Sequence, residues 1–227
     1  MLKGLFQTAS VLLLGAAFAT AAHADDAFEA GKHYFLVEPP QATASDKPEV
    51  VEVFSYACPA CNMFQPTMRK LKAELPAGTE LLYLPAGFRP DEDWPVFQRA
   101  FYTAQALGIL EQTHDATFDF VWKDDGPLRI SDASTHKPKN PMPSIEDVAK
   151  AYAKFGVKPD EFTATANSFA INTKVKRADA MLKAYGVDST PTLVVDGKYR
   201  LTVASAGGVD KVLPLIKFLI EKDGAAK

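Results

Sequence analysis

The pattern of apolar and polar positions predicts strands and helices in alternation. Residues 50–54 form a run that is apolar except for Glu52, which is typical of a strand buried on both faces. An amphipathic segment follows at 58–75, with apolar residues at helical spacing (Phe64, Met68, Leu71, Leu75). Residues 81–84 predict the next strand, and a further short strand is expected at 34–37. A strand, a helix and a strand in this order predict a right-handed unit with parallel strands.

The middle of the chain is predicted to be mostly helical. Apolar stripes indicate helices at 94–107 and 111–122, and residues 124–143 are rich in proline and predict a loop. Ser144, with Asp147 three residues later, predicts the start of a helix that Gly156 ends. Two more helices are expected, one starting at Pro159 and one ending at Gly186.

The C-terminal part predicts a hairpin and a helix. Residues 192–195 and 198–203 flank Asp196-Gly197, a residue pair preferred in tight two-residue turns. The last helix is expected at 208–221. The element order is therefore β-α-β, a helical insertion, then β-β-α, which indicates an α/β fold.

Residues 1–24 have the features of a secretory signal peptide. Lys3 supplies the positive start, an apolar core follows, and Ala22-His23-Ala24 is a small-residue cleavage site. The apolar run is shorter than the roughly 20 residues that a membrane-spanning helix needs. We therefore expect cleavage after Ala24 and export to a bacterial periplasm, a compartment in which disulfides form.

Composition and charge narrow the possible functions. The chain has 227 residues, 47% of them apolar, which is enough for one sizeable core without a stabilising disulfide. It carries 25 basic and 28 acidic side chains, for a net charge of −3, and loss of Lys3 with the signal peptide would make the remainder more acidic still. This balance argues against nucleic-acid binding.

The only two cysteines form the motif Cys58-Pro59-Ala60-Cys61 at the junction of a strand and a helix. Positions three apart share a helix face, so the two sulfurs can meet. Cys58 would lie at the helix N-terminus, where free N–H groups and the helix dipole stabilise a thiolate, and Pro59 suits the first helical position. We therefore predict a redox dithiol in which Cys58 is the nucleophile and Cys61 the shielded, resolving thiol.

Two other interpretations of the cysteine pair remain open at this point. A zinc site needs four ligands, but no second cysteine pair exists, and the histidines do not have zinc-finger spacing (His33, His114, His136). A purely structural disulfide would close a very short loop, which stabilises least. We predict neither a metal nor an organic cofactor.

The chain resembles the DsbA family of thiol-disulfide oxidoreductases over nearly its whole mature length. The resemblance rests on residues 51–56 leading into the cysteine motif, on residues 29–34, and on residues 189–192 before the hairpin. It implies a thioredoxin fold, with a central mixed sheet flanked by helices, interrupted by an all-helical domain. The implied boundaries are a thioredoxin-like part at 25–87, a helical insertion at 88–186 and a second thioredoxin-like part at 187–227.

The resemblance also implies three further site residues. Pro191 corresponds to a proline that is cis in thioredoxin-like folds, although most X-Pro bonds are trans. Thr190 would then expose its backbone to an extended substrate segment. Glu52 corresponds to a buried acid six residues before Cys58 that moves a proton for the deep thiol. The alternative for Glu52 is a carboxylate that reaches solvent or a lysine.

The sequence departs from the best-known family pattern at two positions. Ala60 replaces a histidine, so one donor or positive charge near the Cys58 thiolate is missing, and we expect a weaker oxidant. The next strand offers Glu80 rather than a lysine as a partner for the buried acid. Three apolar side chains could either seat substrates or pack in the core (Phe54, Tyr56, Phe64).

The resemblance implies a monomeric periplasmic enzyme that donates its Cys58–Cys61 disulfide to reduced, newly exported proteins. A membrane quinone oxidoreductase of the DsbB type would re-oxidise it. One alternative is a reductase or isomerase kept reduced by another partner. The other is a non-catalytic chaperone module that holds unfolded chains.

Overall fold

The structure is a computed structural model that describes residues 28–132 and 134–224, so the predicted signal peptide lies outside the described residues. Its strands are β1 (Phe35–Leu36), β2 (Glu49–Phe54), β3 (Glu80–Pro85), β4 (Thr192–Val195) and β5 (Tyr199–Thr202). They form one sheet in the order β1-β5-β4-β2-β3. The sheet is mixed, as predicted, because β2 and β3 are parallel while the other neighbours are antiparallel.

The central strand β2 is buried along its whole length, which confirms the interpretation of its apolar run. It pairs with β3 on one side and β4 on the other, and in this register Glu52 lies between Tyr83 and Leu193. The register therefore decides what surrounds the one acidic side chain in the middle of β2.

The predicted hairpin between β4 and β5 is present and turns tightly at Asp196-Gly197. Both residues have positive φ, 50° and 62°, as a two-residue turn of this kind requires. A Cβ atom on Gly197 would lie 2.2 Å from the carbonyl oxygen of Gln41, so only glycine fits there.

The helices fall into two groups around the sheet. They are α1 (Pro59–Glu74), α2 (Trp94–Ala106), α3 (Leu110–Trp122), α4 (Ile145–Tyr152), α5 (Pro159–Ala166), α6 (Phe169–Ala184), α7 (Val203–Ala206) and α8 (Val209–Gly224). Helices α1 and α8 cover one face of the sheet, and α2–α6, which lie between β3 and β4 in the chain, share a second core with the other face. This is the inserted helical arrangement that the pattern predicts. The domain boundaries at 87/88 and 186/187 remain predictions.

Capping residues place several helix ends where the sequence predicts them. The side chain of Ser144 accepts from the N–H of Asp147, whose carboxylate in turn accepts from the N–H of Ser144, so the capping box of α4 is complete. Gly156 adopts φ 90° and ends the 3₁₀ turn that continues α4.

The C-terminal part differs from prediction in two details. The chain turns into the short helix α7 directly after β5, because Thr202 and Ser205 form a second capping box there. The last helix runs to Gly224, three residues beyond its predicted end, and contains Pro214. Within the described residues, no helix is both long and apolar enough to cross a bilayer.

Candidate active site

The Cys58–Cys61 pair lies at the connection between β2 and α1, and both cysteines are free thiols in the structure. Cys58 is the N-cap residue of α1 and Pro59 its first helical residue, as predicted. The Sγ atom of Cys58 accepts from the N–H of Cys61 at 3.3 Å. Cys58 is 5% exposed and Cys61 is fully buried, so Cys58 is the more accessible sulfur.

The surroundings of Cys58 stabilise its thiolate. A hydrogen bond from the Cys61 thiol, supported by the N–H groups of Ala60 and Cys61, lowers the pKa of Cys58 to about 6, although burial opposes this shift. The backbone donors belong to the first turn of α1, where N–H groups have no partner within the helix. At neutral pH, Cys58 is therefore mostly a thiolate.

The surroundings of Cys61 have the opposite effect. Burial, together with the hydrogen bond to Cys58 and the negative charge on Cys58, raises the pKa of Cys61 far above that of an ordinary thiol. The two sulfurs thus differ strongly in acidity although only two residues separate them. This arrangement gives one nucleophile that is ready to react and one thiol that must lose a proton before it can attack.

The loop before β4 faces the dithiol. The Thr190–Pro191 peptide bond is cis, as the resemblance implies. The carbonyl oxygen of Thr190 lies 3.6 Å from Cys58 Sγ, and the protonated thiol donates to it. Two further cis bonds, Glu38–Pro39 and Asn140–Pro141, were not expected from the sequence. Thr190 and Pro191 are both half-buried and lie next to the reactive sulfur.

Glu52 is fully buried, and neither of its carboxylate oxygens has a hydrogen-bond partner among the described residues. The alternative in which it reaches solvent or a lysine is therefore wrong. Burial, followed by the negative charges of Cys58 and Asp115, raises the pKa of Glu52 to about 8. Glu52 is thus mostly neutral at pH 7 when the dithiol is reduced.

The residue beside Glu52 on β3 is Tyr83, so Glu80, which the sequence offers in place of a lysine on that strand, is not the neighbour of the buried acid. Glu80 lies opposite Glu49, three residues earlier along both strands, and pairs with Lys47 at 3.0 Å. The register of the two parallel strands, which the sequence alone does not fix, therefore places Glu80 away from the buried acid.

Helix α3 holds the active-site turn at Tyr56, which the sequence did not indicate. The indole Nε1 of Trp122 donates to the Tyr56 carbonyl oxygen at 2.8 Å, and the Tyr56 hydroxyl is 2.9 Å from Nδ1 of His114. Burial lowers the pKa of His114 to about 4, so its ring is neutral. Core packing is confirmed for the three apolar side chains that might have seated substrates, because all are buried (Phe54, Tyr56, Phe64).

Among the described residues, no three His, Cys, Asp or Glu side chains come close enough together to hold a metal ion. The arrangement of Cys58, Cys61 and Glu52 is suited to reactions of thiols. It provides a stabilised thiolate, a deep protonated thiol and a neutral carboxyl group below them.

Comparisons with known proteins agree with this geometry. Residues 49–215 match the family model for the DSBA-like thioredoxin domain. The chain is 36% identical to the thiol:disulfide interchange protein DsbA of Pseudomonas aeruginosa, over 99% of both chains, and 33% identical to that of Pseudomonas syringae pv. tomato, over 96% of this chain and 94% of the relative.

Solved structures give the same result. The crystal structure of Pseudomonas aeruginosa DsbA superposes with a TM-score of 0.73 at 36% identity, covering 89% of this chain and 97% of the other. Oxidoreductase DsbA from Xylella fastidiosa also reaches 0.73, at 27% identity, covering 85% of this chain and 95% of the other. The protein is thus a thiol:disulfide oxidoreductase with a DsbA-like thioredoxin fold, and it belongs to the DsbA family.

Proposed function

We propose that the protein donates the Cys58–Cys61 disulfide to reduced proteins newly exported to the periplasm. The main support for disulfide donation is that the pKa of Cys58 is lowered while the pKa of Cys61 is raised. A stabilised Cys58 thiolate favours the reduced form of the enzyme, which makes its disulfide oxidising.

The reaction proceeds in two exchanges. A substrate thiolate attacks Sγ of Cys58, the Cys58–Cys61 bond breaks, and Cys61 leaves as a thiolate that takes up a proton. A second substrate thiolate then attacks the substrate sulfur of the mixed disulfide, and Cys58 leaves as a stabilised thiolate. The substrate loses two electrons and gains a disulfide, while the enzyme becomes the dithiol. Cys58 leaves readily in the second step because its pKa is low.

We assign Glu52 the proton transfer at Cys61. It lies on β2 beneath α1, and the negative charge of Glu52 is one of the causes of the raised Cys61 pKa, so the two groups interact. A neutral Glu52 can give its proton to the departing Cys61 thiolate. During re-oxidation its carboxylate can take the proton back.

The loop next to Cys58 and the exposed side of α1 are both suited to an unfolded substrate. The cis loop at Thr190–Pro191 offers main chain to an extended segment, a mode of recognition that accepts many sequences. Met63, 74% exposed, adds an adaptable apolar side chain two residues after Cys61. One turn further along α1, Thr67 lines a cleft of about 570 Å³ between α1 and α8, where the exposed Val209 also lies.

The remaining parts of the proposal rest on the family and the sequence. They are cleavage after Ala24, action as a monomer in the periplasm, and re-oxidation by a DsbB-type membrane quinone oxidoreductase. The domain division at 25–87, 88–186 and 187–227 belongs to the same proposal and is supported by helices α2–α6 falling between β3 and β4.

The test is the reduction potential of the Cys58–Cys61 pair at pH 7, titrated against glutathione. We expect a value well above thioredoxin's roughly −270 mV, and below the roughly −120 mV given for DsbA. The variant Ala60→His should raise it by about 20 to 45 mV, since one charge-assisted contact to the thiolate contributes about 1 to 2 kcal/mol. A potential near that of thioredoxin would instead indicate a reductase. A wild type without any disulfide-forming activity, whose Cys→Ser double variant still holds unfolded chains, would indicate a chaperone.

A further inference from the structure

Helix α6 is basic in a protein that is acidic overall. Its 16 residues include four basic side chains and one acidic side chain, for a local net charge of +3, whereas the whole chain has a net charge of −3. The charged residues of the helix are Lys174, Lys176, Arg177, Asp179 and Lys183. Positive charge is therefore concentrated on this one element.

The spacing of these residues separates α6 into a packed side and an outer side. The buried residues Ile171, Ala178 and Leu182 lie within about 40° of one another around the helix axis, since each residue turns the helix by about 100°. The exposed residues centre roughly opposite to them. We call this outer surface the α6 face (Phe169, Lys176, Arg177, Ala180, Lys183).

The cations of the α6 face are not neutralised by the protein. Among the described residues, none of the ion pairs includes Lys176, Arg177 or Lys183. The one acidic side chain of the helix, Asp179, accepts from Nε2 of Gln98 on α2 at 2.9 Å, which holds it beside the packed side. The outer side is therefore left with three uncompensated positive charges.

The same face begins with an exposed aromatic ring. Phe169 is the first residue of α6 and is 86% exposed, more than any other large apolar side chain among the described residues. Between the ring and the last lysine the face is built partly from the small residues Thr173 and Ala180, so a flat surface could approach it closely. From Phe169 to Lys183 the face extends over about 21 Å, at about 1.5 Å per residue.

These features fit the headgroup layer of an anionic membrane. Lysine and arginine close to such a surface pair with its phosphates, and an aromatic ring is stabilised at the boundary between headgroups and acyl chains. A headgroup layer needs no matching shape, whereas a protein partner would have to offer both an acidic patch and a pocket for the ring. The apolar stripe of α6 is already packed in the protein, so the helix would lie on the membrane and would not enter it.

A membrane on the α6 face would leave the dithiol accessible. The packed side of α6, at Ala178 and Leu182, belongs to the core that also contains Cys58 and Cys61. The α6 face points away from that core, so lipid bound there would not cover Cys58. The helix ends at Ala184, and residues 185–189 lead from it to Thr190, whose carbonyl oxygen lies 3.6 Å from Cys58 Sγ.

We propose that the α6 face docks the protein on the anionic headgroups of a membrane surface. This goes beyond the proposed disulfide donation and needs no thiol chemistry. Docking would keep the enzyme in the layer of solution next to the membrane, with the active-site loop free to react.

The test is co-sedimentation of the protein, without its signal peptide, with lipid vesicles. One set of vesicles contains phosphatidylcholine alone and the other contains phosphatidylcholine with phosphatidylglycerol, both at about 0.1 M salt, where the screening length is roughly 10 Å. Two variants alter the face: Phe169→Ser and the triple variant Lys176→Gln/Arg177→Gln/Lys183→Gln. The matched control removes the same charge from exposed positions outside α6: Lys137→Gln/Lys139→Gln/Lys222→Gln.

We expect wild type to bind the anionic vesicles and not the neutral ones. Each cation near an anionic surface strengthens binding about fivefold, so the triple variant of the face should bind about 100-fold more weakly. Phe169→Ser should weaken binding about tenfold, because the ring is no longer buried in the lipid. The control should bind like wild type, and salt at about 1 M, where the screening length is 3 Å, should release the protein.

Three results would overturn the proposal: a wild type that does not bind anionic vesicles, equal binding to both kinds of vesicle, or equal losses in the two triple variants. The last result would mean that net charge alone controls binding. The reduction potentials of all variants should equal that of wild type, because the α6 face points away from the sulfurs. An oxidising potential without lipid binding would therefore reject the docking surface and leave disulfide donation intact.

Discussion

At the scale of single residues, the chemistry of this site comes from burial more than from ion pairs. Cys61 and Glu52 are both fully buried, and desolvation is the largest cause of each raised pKa. Cys58 differs because the first turn of α1 and the neighbouring thiol donate to it. The site thus combines two groups kept neutral with one kept charged, which suits one-proton transfer coupled to disulfide exchange.

Replacing Glu52 by Gln should stabilise the reduced protein increasingly as pH rises. The pKa of Glu52 is about 8 in the folded protein and near 4.5 in the unfolded chain. The contribution of Glu52 to the free energy of unfolding is therefore fully present below pH 4.5 and is lost as the pH rises to 8. We expect the difference in unfolding free energy between the variant and wild type to grow by up to about 1.4 kcal/mol per pH unit, reaching about 3 kcal/mol at pH 7.

Urea unfolding of the reduced protein at several pH values measures this difference. Glu111→Gln, a substitution at an exposed position on α3, serves as the control and should show no such trend. A difference that stays constant between pH 5 and 8 would mean that Glu52 is not held neutral.

The sequence predicts which residues form the site, but it does not predict which residues lie next to them in the folded protein. The dithiol and its nucleophile follow from motif and spacing, and the buried acid from the resemblance to the family. The pairing of Glu52 with Tyr83 depends on the register of β2 and β3, which the hydrophobic pattern of these two short, mostly apolar strands does not determine. The contact of His114 with Tyr56 joins residues 58 positions apart, and no local pattern predicts such a contact.

At the scale of elements, α3 links the helical insertion to the active-site turn. Trp122 donates to the carbonyl of Tyr56, a buried residue two positions before Cys58. This contact fixes the segment from which α1 starts. Capping signals explain why most helix bounds could be predicted. The short α7 was missed because its start depends on a Thr202–Ser205 pair inside an apparently strand-like stretch.

Trp122→Phe should lower the free energy of unfolding by about 1 to 3 kcal/mol, since it leaves a buried carbonyl without its donor. It should also raise the pKa of Cys58, measured by thiolate absorbance, because the turn is less firmly held. Trp94→Phe is the matched control, because the buried Trp94 indole has no hydrogen-bond partner among the described residues. Equal shifts of the Cys58 pKa in the two variants would contradict the role of Trp122.

At the scale of the whole molecule, oxidation state and protonation are coupled. Above pH 6, Cys61 of the reduced protein is protonated, whereas Cys58 is mostly a thiolate. Reduction also raises the pKa of Glu52 through the new charge on Cys58, so Glu52 takes up part of a further proton. The molecule therefore gains between one and two protons for every two electrons near neutral pH.

The reduction potential should record this proton count. For a two-electron couple, each proton taken up contributes about 30 mV per pH unit. We expect wild type to fall by about 30 to 59 mV per unit between pH 6.5 and 8, and Glu52→Gln to fall by about 30 mV. Glutathione titrations across this range provide the measurement. Identical slopes in the two proteins would show that Glu52 does not sense the charge on Cys58.

The exposure of Met63 has a consequence for damage by peroxides. While the enzyme is in its disulfide form, both cysteine sulfurs are protected, whereas Met63, two residues after Cys61 in the chain, is 74% exposed and carries a thioether sulfur. Its conversion to the sulfoxide would place a polar, chiral group on the surface proposed to receive substrates. Peroxide would then weaken the capture of protein substrates while leaving the exchange with small thiols intact.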